Sequence, residues 1–590
     1  MIHFVGPFRI DAQARTVLLD GREVPLQPRV FDLLVYLARN ANRVVSKDEL
    51  LDALWPDVTV TESSLQRAVS LLRSVLRSGG AANALRSYPK VGYRLSVAAA
   101  PEKSAKDASD QLAAAARAVS EQRWAEAVDA FETADGIALL NAAELERWAF
   151  ALECLGRPSD AVPLLTRAVA AFAADGETRP AAESAVALSR IHIERGENAP
   201  TKGWVARAEQ LLDDDRDCRE FGLTLWMRSR VVAFEGEPEA ALAFADEAYS
   251  LARRLDDAEL EALTLVYRGF YKLSLGQTRA GLDDQDRAAA LALSSGITPV
   301  TGALLYCTIL WSCRTFGDWG RAGQWTIGYR EFCTSNQMGY SGACQLHRAE
   351  VLGVQGTLDD ALEHVADAMT RLNGDAPWAL GDAHRVLGDI HAAKGNVDAA
   401  MREYDKAHAL GWDGEPGRAM LLLDQGDAEA ACASLERALI GQNWWTLQRQ
   451  GILLAHLSLA AAHAGRTERA RALIDDLAEQ AERWPMPSIR AVTNEASAVL
   501  ARAAGDGEVA LRHLYLARQL WTSIDSRYHA ARVRLDIAAE FLAQGDAGGA
   551  ATELRSAQAT IEEISANGLD SRLARLSQNL VERQDAGKGI

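Results

Sequence analysis

The sequence predicts a mostly α-helical chain: a small α+β module over residues 1–97, then an α-solenoid of about twelve helical hairpins. Three observations carry this. Short alternating runs and three amphipathic segments crowd into the first hundred residues. Glycine then recurs about every forty residues from Gly156 to Gly545. Charge divides at the same border: residues 1–97 hold 13 Lys and Arg against 9 Asp and Glu, and the remainder holds 50 against 72. A chain of 590 residues is too long for one core, and an apolar fraction of 48% supports a folded one.

The first elements are strands. Residues 2–4, 8–10, 16–19 and 22–26 are short runs of strand character, and Asp20-Gly21 supplies a two-residue turn between the last two. Pro28 opens a helix at its first turn, where the missing N–H costs nothing. Phe31, Leu34 and Leu37 mark its apolar face. Ser46 and Glu49 read as a capping box for a second helix, which carries Leu50, Leu51 and Leu54. Trp55-Pro56 closes it.

Thr61 can cap a third helix. Its apolar face is Leu65, Ala68, Val69, Leu72 and Leu76. The opposite face shows Ser63, Gln66, Arg67, Ser70, Arg73, Ser74 and Arg77. Such a face, basic and able to hydrogen-bond, is what a major groove requires of a helix. Within residues 61–97 there are six basic side chains and one acidic. Gly79-Gly80 breaks the helix. Residues 85–88 and 91–97 then form a hairpin with Pro89-Lys90 near its tip.

These residues resemble the OmpR/PhoB-type winged-helix family, in its CadC-like one-component branch. The matching positions are Arg43-Val44-Val45-Ser46-Lys47-Asp48-Glu49-Leu50, Leu54-Trp55-Pro56, Leu65 with Leu72-Arg73 and Leu76, and Gly92-Tyr93-Arg94-Leu95. Tyr88-Pro89-Lys90 replaces the Val-Arg-Gly usual in the wider family, which places the match in that branch. The resemblance covers about a sixth of the chain. It implies that the third helix reads bases and phosphates of double-stranded promoter DNA. It implies a wing in an adjacent minor groove, and contact of the loop at 56–60 with RNA polymerase. Ser63, Gln66, Arg67 and Ser70 are the groove candidates. Arg73 and Arg77 are phosphate candidates, with Ser87 and Lys90 on the wing. Arg73 can instead pair inside the domain, and the serines can be plain solvated surface. Tyr93 and Arg94 read as structural, and Gly92 as a backbone requirement. A single small module seldom reaches high specific affinity, so two protomers on paired half-sites are expected.

Residues 98–107 read as a linker, with Pro101 near its middle. The repeat region follows over 108–590. Its glycines stand at 156, 196, 236, 276, 317, 356, 395, 426, 465, 505 and 545, spaced by 40 or nearly so, with a single interval of 31. Small residues follow at fixed offsets, as at Ala161 and Ala168, Ala241 and Ala248, Ala361 and Ala368, Ala400 and Ala407, and Ala431 and Ala438. An earlier unit, Ala127, Phe131 and Ala134, lacks the glycine. The pattern resembles tetratricopeptide (TPR) repeats, best over Gly388, Ala400, Tyr404 and Ala407. Its longer period is similar to the sensor arrays of MalT-like regulators. Stacked hairpins would form a superhelix whose concave face takes a protein, peptide or small-molecule effector.

Residues 304–348 are rich in aromatics and cysteine. Tyr306, Trp311, Trp319, Trp325, Tyr340 and His347 either line an effector pocket or pack between helices. Cys307, Cys313, Cys333 and Cys344 lack the paired short spacings of zinc sites, so no metal and no cofactor are expected. Trp444-Trp445 is a second candidate contact patch, and core packing or a helix start explains it as well. Seven scattered cysteines argue against a disulfide framework. No run of 18 apolar residues and no signal peptide are present, so a cytoplasmic protein without membrane association is expected. No phosphate loop, HExxH or GxSxG motif and no receiver domain stand in the sequence, so neither catalysis nor phosphorelay control is expected.

The reading is a one-component regulator whose repeats receive the input, with acidic repeats masking the basic face as one possible switch. The alternative is a scaffold whose winged helix contacts protein and not DNA.

Overall fold

The structure, a computed structural model, describes residues 2–5, 8–12, 15–19, 22–41, 43–55, 62–79, 81, 84–89, 91–96, 102–293, 296–440 and 444–588. The chain forms two compact units, Met1–Glu144 and Leu145–Ile590.

The first unit opens with an antiparallel meander of β1 (Ile2–Val5), β2 (Phe8–Asp11), β3 (Thr16–Leu19) and β4 (Arg22–Glu23). Helices α1 (Pro28–Arg39), α2 (Lys47–Leu54) and α3 (Glu62–Ser78) follow. A second sheet joins β5 (Val45–Ser46), β7 (Gly92–Leu95) and β6 (Leu85–Tyr88), with β7 in the centre. The expected apolar faces all turn inward: Phe31, Leu34 and Leu37 of α1, Leu50 and Leu54 of α2, and Leu65, Val69, Leu72 and Leu76 of α3 share one core with Phe8, Ile10 and Val17. The Asp20-Gly21 turn, Thr61 and the loop at 56–60 lie outside the described residues.

The capping box is half present. Ser46 Oγ accepts from Glu49 N at 3.1 Å. Ser46 is already engaged in the β5–β7 ladder, and the Glu49 carboxylate turns to Arg43 Nη1 at 3.0 Å and Tyr36 Oη at 3.1 Å. The Arg43 hydrogen bonds hold the Glu49 carboxyl down to about 2. Gly92 is required by close approach: a Cβ there would lie 1.9 Å from Val45 O.

The helix α4 (Glu102–Ser120) begins inside the span read as linker, as its alanine-rich, charged sequence favours. It pairs with α5 (Trp124–Ile137), and Arg9 of β2 reaches Asp135 of α5 at 2.6 Å. Their turn has no glycine, and Gln122 takes the left-handed conformation at φ 58°.

The second unit is a run of antiparallel hairpins: α6 (Ala142–Cys154) with α7 (Pro158–Ala174), α8 (Thr178–Glu194) with α9 (Asn198–Leu212), α10 (Arg219–Phe234) with α11 (Pro238–Leu255), and α12 (Ala258–Ser274) with α13 (Thr278–Ala292). Then come α14 (Pro299–Phe316) with α15 (Trp319–Ser335), α16 (Gly342–Gln355) with α17 (Leu358–Asp375), α18 (Leu380–Ala393) with α19 (Val397–Ala409), and α20 (Gly417–Asp424) with α21 (Ala428–Ala438). Last are α22 (Trp444–His463) with α23 (Thr467–Glu479), α24 (Pro487–Ala503) with α25 (Gly507–Ser523), α26 (Arg527–Gln544) with α27 (Ala547–Glu563), and a single closing helix α28 (Asp570–Lys588). With α4–α5 this makes twelve hairpins among the described residues. The interval of 31 is explained by α20, which is only 8 residues long.

Each of the eleven ladder glycines sits in the turn inside a hairpin at positive φ, between 72° and 92°. The alanines at 161, 168, 241, 248, 361, 368, 400 and 407 are fully buried where the helices meet. Gly388 leaves room for the Tyr404 ring, which a Cβ would meet at 2.5 Å.

The array does not stay an open superhelix. Its successive turns pack on one another. Gly339 N donates to Cys154 O at 2.8 Å. Trp378 Nε1 donates to Glu194 O at 2.6 Å, Thr278 Oγ1 to Arg483 O at 2.6 Å, and Ser488 Oγ to Gly317 O at 2.7 Å. The last three contacts span 184, 205 and 171 residues. With a period near 40, one superhelical turn takes about four to five hairpins.

Candidate nucleic-acid interface and the cavities of the array

The helix α3 divides cleanly into two faces. Leu65, Ala68, Val69, Leu72 and Leu76 are buried, and Ser63, Gln66, Arg67, Ser70, Ser74 and Arg77 are exposed. The exposed set holds five of the eight predicted DNA-contact residues. The sixth, Arg73, is half-buried, and its Nη2 donates to Oγ of the seventh, Ser87, at 2.5 Å. That bond ties α3 to β6 of the wing hairpin, so these two residues also position the wing. The eighth, Lys90, lies outside the described residues. Beside it, Val91 is 55% exposed and Val91 N donates to Tyr88 O at 3.0 Å, closing the wing tip. Tyr93 is buried, and the Arg94 guanidinium lies 5.7 Å from the Tyr88 ring, consistent with structural roles for both.

In the array the predicted aromatic residues separate into different environments. Tyr306 is buried against Trp325, Tyr329 and Phe332, and Tyr340 packs edge-on to Tyr329. His347 is fully buried. Arg314 Nη1 donates to His347 Nδ1 at 2.5 Å, which leaves the ring proton on Nε2, 3.4 Å from Cys307 Sγ. Burial and the neighbouring Arg314 hold this histidine well below its ordinary pKa. Trp311 and Trp319 do line cavities. The side chains of Trp444 and Trp445 lie outside the described residues.

Two cavities lie along the inside of the second unit. One is about 220 Å³, and Trp311 and Trp378 are in its wall. The other is about 400 Å³, and Trp311, Trp319 and Trp412 are in its wall. Trp311, Trp378 and Trp412 form one aromatic cluster between them, with ring centroids 5.8–6.2 Å apart.

A ladder of buried and half-buried ion pairs between every second helix of the array was not anticipated from the sequence. It joins Arg190 to Glu153, Arg230 to Glu194, Arg314 to Glu350, Arg532 to Glu495 and Arg572 to Asp536, at separations of 36 or 37 residues. The signal was available as Arg and acidic residues recurring at nearly the repeat period. At the larger cavity the ladder thickens. Arg314 Nη2 meets Asp382 at 2.9 Å, and Arg385 meets Glu350 at 2.8 Å, Asp382 at 2.8 Å and Asp389 at 3.1 Å. Burial pushes the Asp389 carboxyl up to about 7 despite Arg385, and Tyr404 Oη donates to it at 2.8 Å. In the smaller cavity's wall, the neighbouring Cys307 thiol and Ser341, whose Oγ donates to Cys344 Sγ at 3.0 Å, hold the Cys344 thiol below its ordinary range. Among the described residues no group of three His, Cys, Asp or Glu side chains is placed to hold a metal ion. Among the same residues no helix is long and apolar enough to cross a membrane.

Residues 21–95 match the family described as "Transcriptional regulatory protein, C terminal". The transcriptional activator CadC of Escherichia coli is 33% identical over 95 residues, which are 16% of this chain and 19% of that one. The transcriptional regulatory protein SrrA of Staphylococcus aureus is 33% identical over 93 residues, 15% of this chain and 38% of that one. The chain therefore spans a fifth to two fifths of the relatives' lengths. Among solved structures, the DNA-binding domain of E. coli CadC matches at 31% identity over 16% of this chain and 92% of that one, with a TM-score of 0.16. The structure titled APC/C hetero-tetramer Cut9-Hcn1 matches at 15% identity over 80% of this chain and 97% of that one, with a TM-score of 0.33. The N-terminal domain is a homologue of the CadC DNA-binding domain, of the OmpR/PhoB type, and an array of helical hairpins follows it in the chain.

Proposed function

We propose that this chain is a one-component transcriptional regulator. Its N-terminal domain binds promoter DNA through the exposed face of α3, and its helical array receives the input. The observation that carries this is the position of Gln66, Arg67, Ser70 and Arg77 on one solvent face of α3, with the wing held beside it by Arg73 and Ser87. Arginine and glutamine on such a face pair with guanine and adenine edges, and arginine at its ends neutralises phosphate. A dimer on paired half-sites supplies the affinity one module lacks. Residues 56–60, between α2 and α3 in the sequence, are the candidate contact with RNA polymerase. The cavities of the array are the candidate effector sites.

The test is a mobility shift of the full chain on its own upstream region, repeated over a salt series. Arg67→Ala should weaken binding by about 1–3 kcal/mol and relax sequence preference. Arg77→Ala should weaken all sequences alike and lower the salt slope by about 1. If the unsubstituted chain and both variants shift every fragment equally and weakly, the scaffold reading takes over.

A further inference from the structure

The larger cavity, about 400 Å³, has one face of the short helix α20 in its wall. Pro416, Gly417, Met420, Leu421 and Asp424 line it at helical spacing. Asp424 is exposed, and among the described residues it has no hydrogen-bond or ion-pair partner. Its carboxylate points inward. It acts by charge on the phenol of Tyr528, which lines the same cavity from α26, and it feels Arg532 of α26 and Arg572 of α28. Burial raises its carboxyl above the ordinary range although the side chain has open surface. Surface turned to a cavity, and not to bulk solvent, has both properties.

The charges around Asp424 are otherwise matched. Arg314 and Arg385 of the wall share Glu350 and Asp382, Arg385 also holds Asp389, and Arg449 holds Asp413. Behind the wall, Arg532 is paired with Glu495 and Arg572 with Asp536. Burial lowers the pKa of both histidines of the wall, His456 to about 4 and His529 well below its ordinary value, so both are neutral at pH 7. Every arginine described in the wall therefore has its own carboxylate, and Asp424 is left over.

We infer that this cavity binds a protonated organic amine with an apolar body, its ammonium group seated on the Asp424 carboxylate. An ammonium supplies the countercharge and the donors that the carboxylate lacks. Trp311, Trp319, Tyr404, Trp412, Trp521 and Tyr528 line the same space. Their rings hold an apolar body by edge and face contacts and attract a cation. A ligand anion would add to the surplus of negative charge, and a neutral ligand would leave Asp424 unpaired. The volume has room for a two-ring molecule.

This inference rests on reading the array as the input module, and its test needs no DNA. Calorimetric titration of the full chain would use three probes of similar size: 2-naphthylmethylamine, 2-naphthylmethanol and 2-naphthoate. The amine should bind about tenfold tighter than the alcohol, or more, and naphthoate weakest. In Asp424→Asn the amine should fall to the affinity of the alcohol, with the alcohol unchanged. Met420→Trp narrows the cavity one helical turn from Asp424 and should weaken amine and alcohol together while circular dichroism stays unchanged; it serves if Asp424→Asn does not fold. Glu468→Gln removes an exposed carboxylate from α23, away from the cavity wall, and should leave amine affinity as it is. The inference is overturned if the alcohol binds as tightly as the amine, if naphthoate binds most tightly, or if none of the three binds. It is overturned equally if Asp424→Asn or Met420→Trp leaves amine affinity intact, or if Glu468→Gln lowers it as much as Asp424→Asn. Amine binding measured in this way stands whether or not the chain shifts promoter DNA, so the two readings fail separately.

Discussion

Gly395→Ala should cost more than Gly505→Ala, although both residues end the first helix of a hairpin in almost the same conformation. Their φ angles are 80° and 81°. Alanine in this region is disfavoured by roughly 1–2 kcal/mol. That sum applies to both. At Gly505 the new Cβ meets nothing within 4 Å. At Gly395 it meets Asn567 C and Gly568 N, each at 3.1 Å. Those are backbone atoms of the next superhelical turn, and they cannot swing aside as a side chain does. Overpacking of that kind adds about 1–3 kcal/mol. The expected totals are about 2–5 kcal/mol for Gly395→Ala and about 1–2 kcal/mol for Gly505→Ala. Urea unfolding of the full chain, followed by far-UV circular dichroism, measures both. Native-state hydrogen exchange adds a local readout, since amides around Asn567–Leu569 should lose protection in the first variant only. Equal losses in the two variants, with unchanged exchange near Asn567, would refute the packing of turn on turn. The same contrast runs along the ladder. A Cβ at Gly317 would meet Ser488 Oγ at 2.7 Å and one at Gly356 would meet Ile564 at 3.0 Å, whereas Gly236, Gly426, Gly465 and Gly545 face open space.

Three further outcomes are expected. Asp382→Ala leaves Arg314 and Arg385 short of a buried partner and should destabilise the array by about 3–5 kcal/mol in denaturant titrations; a loss below about 1 kcal/mol would show the pair to be redundant. Asp389 has a folded pKa raised to about 7, above its unfolded value, so its contribution is present at low pH and is lost as pH rises through about 7. Asp389→Asn should flatten that decline between about pH 4 and pH 7, and an unaltered pH profile would speak against it. Gly92→Ala places a Cβ 1.9 Å from Val45 O and should cost about 3 kcal/mol or more by breaking the β5–β7 pairing, read as a lowered midpoint of thermal unfolding.

Most of the first domain could be read from local signals. Pro28, Ser46 and the faces of α1 to α3 are set by contacts within a few residues, and the structure places them as expected. The Glu49 partnership was missed because its competitor, Arg43, is made available by the fold and not by a motif. The repeat was legible for a similar reason. Each hairpin needs a left-handed turn, and glycine marks it at every step except the first, where Gln122 takes the strained position.

The candidate ligand site was not legible. The dense aromatic stretch at 304–348 pointed to the right region, yet most of its residues fill helix contacts. Trp378 and Trp412, which complete the aromatic cluster with Trp311, stand outside that stretch and carry no motif.

The sequence by itself determined the two kinds of architecture, the forty-residue period and the basic face of α3. These follow from backbone propensities and from periodicity, which act over short separations. Only the tertiary structure decided that the superhelix closes turn on turn and that Trp311, Trp378 and Trp412 divide its interior. The closure depends on contacts across 171 to 205 residues. Their positions are set by the accumulated rotation of several hairpins, which no single repeat encodes.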